Sequence, residues 1–223
     1  MNVGVIGGSG FIGSHVVDKL IEQGHEVTVF DIMKPHRDDI RHVSMDLTNF
    51  TSVSTALPAD TEVIFMLAAM ADVNQVYENP VQASEINILG MSNVLEAVRR
   101  NRAGRLIFSS TVWVYNLASE SEVNENTPLH VGKADHIYTS SKVAAEMLCH
   151  SYQKLYNQDF TILRYGIPYG PRARRGTVIA LFVQKALNGE PITIQGDGSQ
   201  YRNFIYVEDL AEGNVAALKE IAN

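Results

Sequence analysis

A chain of 223 residues with a net charge of −7 is long enough to bury a full core, but lacks the basic surface that nucleic acid or an anionic membrane requires. Its one cysteine, Cys149, excludes an internal disulfide and fits a reducing compartment. The longest strongly apolar stretch, 63–71, is too short to span a bilayer, and a strand starting at Asn2 leaves no room for a signal peptide, so a cytoplasmic protein is expected.

The first predicted strand, Asn2–Ile6, runs into VGVIGGSGFIG, where three glycines are spaced Gly7-x-x-Gly10-x-x-Gly13. Only backbone without Cβ atoms turns this tightly and lets a pyrophosphate approach. Phe11, Ile12, Val16, Val17 and Leu20 then recur at helical spacing over 11–23, and Gly24 closes the helix. A phosphate over Gly7, Gly10, Phe11, Ile12 and Gly13 meets the free N–H groups and positive dipole of that helix. A glycine triplet alone is weak, but a strand before it, a helix after it and an acidic residue at the right distance make it a dinucleotide signal. Asp31, followed by Ile32, ends the second predicted strand, 26–31. A carboxylate there accepts the ribose hydroxyls of adenosine and repels a 2′-phosphate, which favours NAD over NADP. Lys34 and Arg37, close by, leave phosphate recognition open.

Further strands are predicted at 42–46, 63–68, 105–109 and 160–164, and further helices at 81–100 and Ile137–Tyr156. Near-continuous apolar strands alternating with helices imply an α/β fold, a doubly wound parallel sheet of Rossmann type. After Arg164 glycines and prolines multiply, with a helix expected at 178–188, a strand at 191–195, a turn at 196–198 and a last helix at 207–221. The expected division is a dinucleotide-binding domain at 1–165 that carries the catalytic residues, and a small, partial substrate lobe at 166–223.

Tyr138 and Lys142 open the long helix at i and i+4, so phenol and ammonium share one face. A phenol titrating near about 10 is no base at neutral pH. An adjacent ammonium and the positive nicotinamide ring of NAD would lower that value, and Lys142 can also hold the nicotinamide ribose. An ordinary exposed Tyr/Lys pair has the same spacing. Upstream, the segment 106–115 (LIFSSTVWVY) ends a core strand, so its hydroxyls emerge at the carboxyl edge of the sheet, where doubly wound folds bind ligands.

Taken together, these motifs resemble the extended short-chain dehydrogenase/reductases, in the NAD-dependent sugar-nucleotide epimerase/dehydratase family, over nearly the whole chain. The resemblance implies that Asp46 and Leu47 contact adenine, and that Leu67, Ala68, Ala69, Asn87 and Ser109 line the cofactor. It puts Thr111 at the catalytic Ser/Thr position with Ser110 as the fallback, and makes Thr111, Tyr138 and Lys142 the catalytic set. Ser110, Thr111, Trp113 and Arg202 become substrate contacts, with Arg202 meeting a diphosphate. Trp113 either stacks on the sugar or nicotinamide or simply lines the site. Arg172, Arg174 and Arg175 form either a basic rim to the site or a solvated loop.

Three departures sort the subfamilies. Relatives that dehydrate carry Asp-Glu after the catalytic Thr, and decarboxylating ones usually keep the Glu; here Val112 and Trp113 stand there, and neither moves a proton. Ile167 replaces an Asn that commonly touches the nucleotide sugar, and the chain is shorter than its relatives. The resemblance therefore implies NAD-dependent epimerisation of a nucleotide-activated sugar through a keto intermediate. A dehydrogenase or reductase of a small hydroxy or keto compound is the alternative, and a non-catalytic dinucleotide sensor a third reading disfavoured by the Tyr/Lys pair. No metal site is expected, since the histidines lack ligand spacing. Helices 81–100 and 137–156 carry apolar residues on more than one face, which the resemblance assigns to a homodimer; burial against the sheet is the other explanation.

Overall fold

The computed structural model describes residues 1–194 and 196–219. In chain order the elements are β1 (Asn2–Ile6), α1 (Phe11–Glu22), β2 (Glu26–Phe30), β3 (Arg41–Val43), α2 (Phe50–Ala56), β4 (Val63–Met66), α3 (Val73–Glu78), α4 (Pro80–Ser84), α5 (Gly90–Asn101), β5 (Arg105–Thr111), α6 (Ile137–Tyr156), β6 (Phe160–Tyr165), β7 (Ile167–Tyr169), α7 (Val178–Leu187), β8 (Phe204–Tyr206) and α8 (Val207–Ala216). Six strands form one parallel sheet in the order β3-β2-β1-β4-β5-β6. Chain direction across the sheet reverses between β1 and β4, which opens a crevice at their carboxyl ends where ligands bind in such folds.

Alternation along each strand builds two cores. Val3 and Val5 of β1, with Ile107 of β5, pack beneath Val16, Val17 and Leu20 of α1 and Ala211 and Val215 of α8. Ile6, Leu106 and Phe108 face the other way, under Val94, Leu95 and Val98 of α5 and Ala145 and Cys149 of α6. The last described helix of the expected lobe thus returns to the dinucleotide-binding layer. Burying a side chain such as Leu20 or Leu95 completely is worth about 1.5–3 kcal/mol.

Three expected strands stop early, at Phe30, Val43 and Met66. Beyond Met66 the N–H groups of Leu67 and Ala68 both donate to the Ile6 carbonyl, at 2.9 and 3.1 Å, which turns the chain out over the glycine loop. The expected single helix at 81–100 is broken by a π-helical turn, Glu85–Leu89, between α4 and α5. The short helices α2 and α3 lacked enough periodicity to be foreseen, although Asn49 and Asp72 cap them by accepting from Ser52 N and Gln75 N. Beyond β6, β7 and β8 pair as a separate parallel ribbon, with Ile167 opposite Phe204. Residues 191–194 carry no strand; Gln195, the end of that expected strand, and 220–221, the end of the expected last helix, lie outside the described residues. None of the residues of α7 is buried. No helix among the described residues is long and apolar enough to cross a membrane.

Candidate active site

The glycine loop lies over the crevice between β1 and β4. Gly7 takes φ +83°, and a Cβ there would sit 2.5 Å from Ala68 N. A Cβ on Gly13 would sit 2.1 Å from the Gly7 carbonyl oxygen, so α1 approaches the loop as closely as backbone allows. Gly10 caps α1 without any side-chain hydrogen bond, and the first-turn N–H groups, including those of the half-buried Phe11 and Ile12, are left for a ligand. Asp31, just past β2, accepts from Ser9 N at 3.0 Å and Met33 N at 2.9 Å. A carboxylate offers about four acceptor positions, so two remain for ribose hydroxyls. Arg37 donates to Asp39 at 2.7 and 2.8 Å and to Asp18 at 3.0 Å, so these acids already engage that candidate phosphate ligand. The residues present fit a dinucleotide without a 2′-phosphate.

Of the residues expected to contact adenine, Leu47 is buried and Asp46 accepts from Thr48 N and Oγ1 at 2.9 and 2.8 Å, while Ile32, beside Asp31, is exposed. Leu67, Ala68 and Ala69 are half-buried above β4. The buried Asn87 sits in the π-helical turn, where its Oδ1 accepts from Met70 N at 2.8 Å and its Nδ2 donates to Met70 O and Ser141 Oγ at 3.0 and 3.1 Å. It thereby ties the loop after β4 to α6 at the residue preceding Lys142.

On α6, the buried Lys142 donates from Nζ to the Ser109 carbonyl at 2.7 Å, lies 4.9 Å from the centroid of Phe108 and 5.8 Å from that of Tyr138. His136 caps the helix, its Nδ1 accepting from Tyr138 N at 3.0 Å. Trp113 stands edge-on to Tyr138 and to His136, with centroids 6.3 and 6.2 Å apart. These contacts give Tyr138 a fixed ring. Trp113 and His136 are therefore neighbours of the acid/base candidate; His136 had drawn no attention in the sequence because a lone His has no spacing signal.

Burial pushes the Tyr138 phenol up to about 12 and the Lys142 ammonium down to about 8, the latter opposed by the Glu146 charge. Desolvation thus outweighs a cation 5.8 Å from the ring centroid. Lowering the phenol takes the positive ring of oxidised nicotinamide as well as the ammonium. Lys142 also leaves a mark on stability. The folded state holds its proton less tightly than the unfolded chain, so burial costs stability in full below about pH 8, and that cost is relieved as pH rises from about 8 to 10.5. Cys149, its buried thiol pushed up from 9 to about 12, works in the opposite sense above pH 9. Thermal melts of wild type and Lys142→Met across this window should differ by a gap in favour of the variant that shrinks as pH rises.

The hydroxyls of β5 divide. Ser109 Oγ donates to Met66 O at 2.9 Å, and Thr111 Oγ1 accepts from Trp113 N at 3.2 Å, capping the 3-10 turn Val112–Leu117. Ser110 instead donates to Glu146. Arg202 is exposed at the entrance to β8 and donates to the Tyr201 carbonyl at 3.0 Å. In the expected basic rim, Arg172 holds Asp18 of α1 with two contacts of 2.8 Å and Arg174 pairs with Asp72, while Arg175 is exposed. Two of the three arginines therefore fasten the segment after β7 to either side of the crevice.

Known proteins place this geometry. The chain is 36% identical to a putative UDP-glucose 4-epimerase of Methanocaldococcus jannaschii, over 98% of its own length and 75% of that protein's. It is 34% identical to a probable UDP-glucuronate 4-epimerase of Rhizobium meliloti, over 95% of itself and 66% of the relative, so it spans about two thirds to three quarters of these proteins. Among solved structures it superposes on a UDP-N-acetylglucosamine 4-epimerase from Methanobrevibacter ruminantium with a TM-score of 0.89 at 31% identity, covering all of this chain and 74% of that one. Against a Thermus thermophilus UDP-glucose 4-epimerase in complex with NAD the TM-score is 0.87 at 33% identity, over 99% of this chain and 75% of the other. The family model for NAD dependent epimerase/dehydratase matches residues 3–223, and with the glycine loop, Asp31 and the Tyr138/Lys142 pair in place, this chain belongs to that NAD-dependent family of extended short-chain dehydrogenase/reductases.

Proposed function

We propose that the protein epimerises a nucleotide-activated sugar with NAD, and that Thr111, Tyr138 and Lys142 are its catalytic residues. The observation that carries this is the fixed Tyr138 ring between Lys142 and Trp113, at the carboxyl edge of β5, with Val112 and Trp113 at the two positions following Thr111. Those side chains offer no proton for elimination or decarboxylation, so reversible oxidation of an alcohol is the chemistry left.

Bound NAD supplies the hydride acceptor and returns the hydride. Tyr138 takes the proton of the substrate hydroxyl as its carbon is oxidised and gives it back after the keto group has been presented by its other face. Lys142 holds the nicotinamide ribose and adds its charge to that of the nicotinamide ring in favouring the phenolate. The Thr111 hydroxyl hydrogen-bonds the substrate oxygen and Trp113 walls the sugar site. Gly7, Gly10, Phe11, Ile12 and Gly13 hold the pyrophosphate and Asp31 the adenosine ribose; Asp46, Leu47, Leu67, Ala68 and Ala69 line the remainder. Arg202 meets the diphosphate of the substrate, and Ile167 faces the sugar in place of an amide.

A homodimer belongs to the same reading. Val81, Leu89, Met147 and Leu155 are exposed on α4, the π-helical turn and α6, 45–71% accessible, and a groove of about 610 Å³ lined by Pro80, Val81, Ile88, Ile137 and Ala144 runs between these helices. Exposed apolar side chains on packed neighbouring helices are the kind of surface that a second copy would cover.

Incubation with UDP-hexoses and UDP-hexuronates, followed by proton NMR, should show conversion to the C4 epimer with no net reduced nicotinamide released. Stoichiometric release of reduced nicotinamide without an epimer would establish the dehydrogenase alternative instead.

A further inference from the structure

Tyr138 and Lys142 continue, one turn on, to Glu146, so three polar side chains at four-residue spacing climb the inner face of α6. Glu146 is 5% exposed, a carboxylate taken out of water. It is also fully engaged. Arg164 of β6 donates to Oε1 at 3.1 Å and to Oε2 at 2.7 Å, and Ser110 of β5 donates to Oε1. The far side of Arg164 donates to the Tyr115 hydroxyl at 2.9 Å and stacks over that ring at 4.9 Å. Both carboxyl oxygens of Glu146 thus accept from donors on the sheet, two of these contacts coming from one guanidinium.

A buried ion pair of this kind is poor evidence for stability, since desolvation consumes most of the attraction, and apolar replacements often do as well. What the arrangement does provide is a fixed negative charge one helical turn from a buried ammonium. Lys142 has the Ser109 carbonyl and the Phe108 ring on β5, and Tyr138 and Glu146 on α6, as its polar and aromatic surroundings. Among these groups only Glu146 is a formal anion. We propose that Glu146 is a positioning residue of the active site: clamped by Arg164 and Ser110, with Tyr115 bracing Arg164, it sets a carboxylate one helical turn from Lys142 that favours the protonated ammonium beside Tyr138.

The inference rests on the catalytic part given to Lys142 above, but its test does not require turnover. Burial already lowers Lys142 to about 8, with Glu146 opposing that fall. Glu146→Gln keeps size and hydrogen-bonding reach while removing the charge, so Lys142, followed by the 13Cε shift of labelled lysine, should titrate about one pH unit lower than in wild type. The alkaline limb of the pH–rate profile should move down by the same amount, a displacement that loss of packing alone does not produce. Arg164→Lys loosens the clamp but keeps the carboxylate, so it should reduce thermal stability and leave both titrations near wild type. Where Glu146→Gln does not fold, Glu146→Gln combined with Arg164→Met leaves no orphaned charge and should show a smaller fall in the Lys142 titration, because the Arg164 charge that opposed Glu146 goes with it. An unmoved Lys142 in a folded charge-free variant, or an equal fall in Arg164→Lys, overturns the proposal. A shifted Lys142 with no epimerisation in any form of the protein leaves the proposal standing for the ladder and rejects the epimerase reading.

Discussion

Replacing Tyr138 by Phe should lower epimerisation by about 10²–10⁴-fold, the range for losing a positioned acid/base group, while the purified protein keeps its NAD. Phe preserves what the fold asks of this position: the edge-on packing against Trp113 at 6.3 Å and the face toward the Lys142 ammonium at 5.8 Å. Only the hydroxyl goes, so the thermal midpoint should move by a few degrees at most. The loss should fall on kcat with little change in KM, because the proton is transferred in the transition state and contributes little to ground-state binding. The phenol is pushed up to about 12 by burial, so it is an acid in the resting protein and becomes a base only under the positive charge of oxidised nicotinamide. A Tyr138→Phe protein that turns over near the wild-type rate would remove the central catalytic assignment. One that loses its NAD would show that the phenol serves binding instead.

What could be read directly from the chain was what its local order determines. The β1–loop–α1–β2 unit needs three glycines, two apolar runs and one carboxylate within thirty-odd residues, and all lie in sequence order. Tyr138 and Lys142 meet because a helix brings i and i+4 together. Where partners come from distant elements, no such order exists. Glu146 and Arg164 lie on α6 and β6, and Arg172 and Asp18 are 154 residues apart, so a loop read as basic emerged as a fastening. The hydroxyl run on β5 shows an intermediate case. Ser109, Ser110 and Thr111 look equivalent as text, but a pleated strand sends neighbours to opposite faces, and Ser110 goes to Glu146 while Thr111 caps the turn bearing Trp113. Strand alternation was the signal that would have separated them. The π-helical turn at Asn87 had no such signal, since its extra residue is accommodated by the hydrogen bonds of Asn87 to Met70 and Ser141.

Gly13→Ala should be severely damaging to both the fold and the cofactor site. Its Cβ would lie 2.1 Å from the Gly7 carbonyl oxygen and 2.9 Å from Gly7 C and Gly8 Cα, all backbone atoms that cannot swing aside like a side chain. Relief requires α1 to withdraw from the loop, which pulls Val16, Val17 and Leu20 off the sheet and moves the helix N-terminus away from the pyrophosphate. A loss of about 3 kcal/mol or more is expected, at or beyond the upper end for overpacking, together with loss of NAD from the purified protein. Two other glycines separate crowding from strain. Gly24→Ala faces no atom within 4 Å but must hold φ +79°, so it should cost only about 1–2 kcal/mol and retain NAD. Gly10→Ala meets the Gly7 carbonyl at 3.2 Å with ordinary φ, so the chain should fold and bind NAD more weakly. Melting temperature and nucleotide released on denaturation, measured for the three variants, check the ranking. If Gly13→Ala keeps both stability and nucleotide, the close approach of α1 to the loop is not what seats the cofactor.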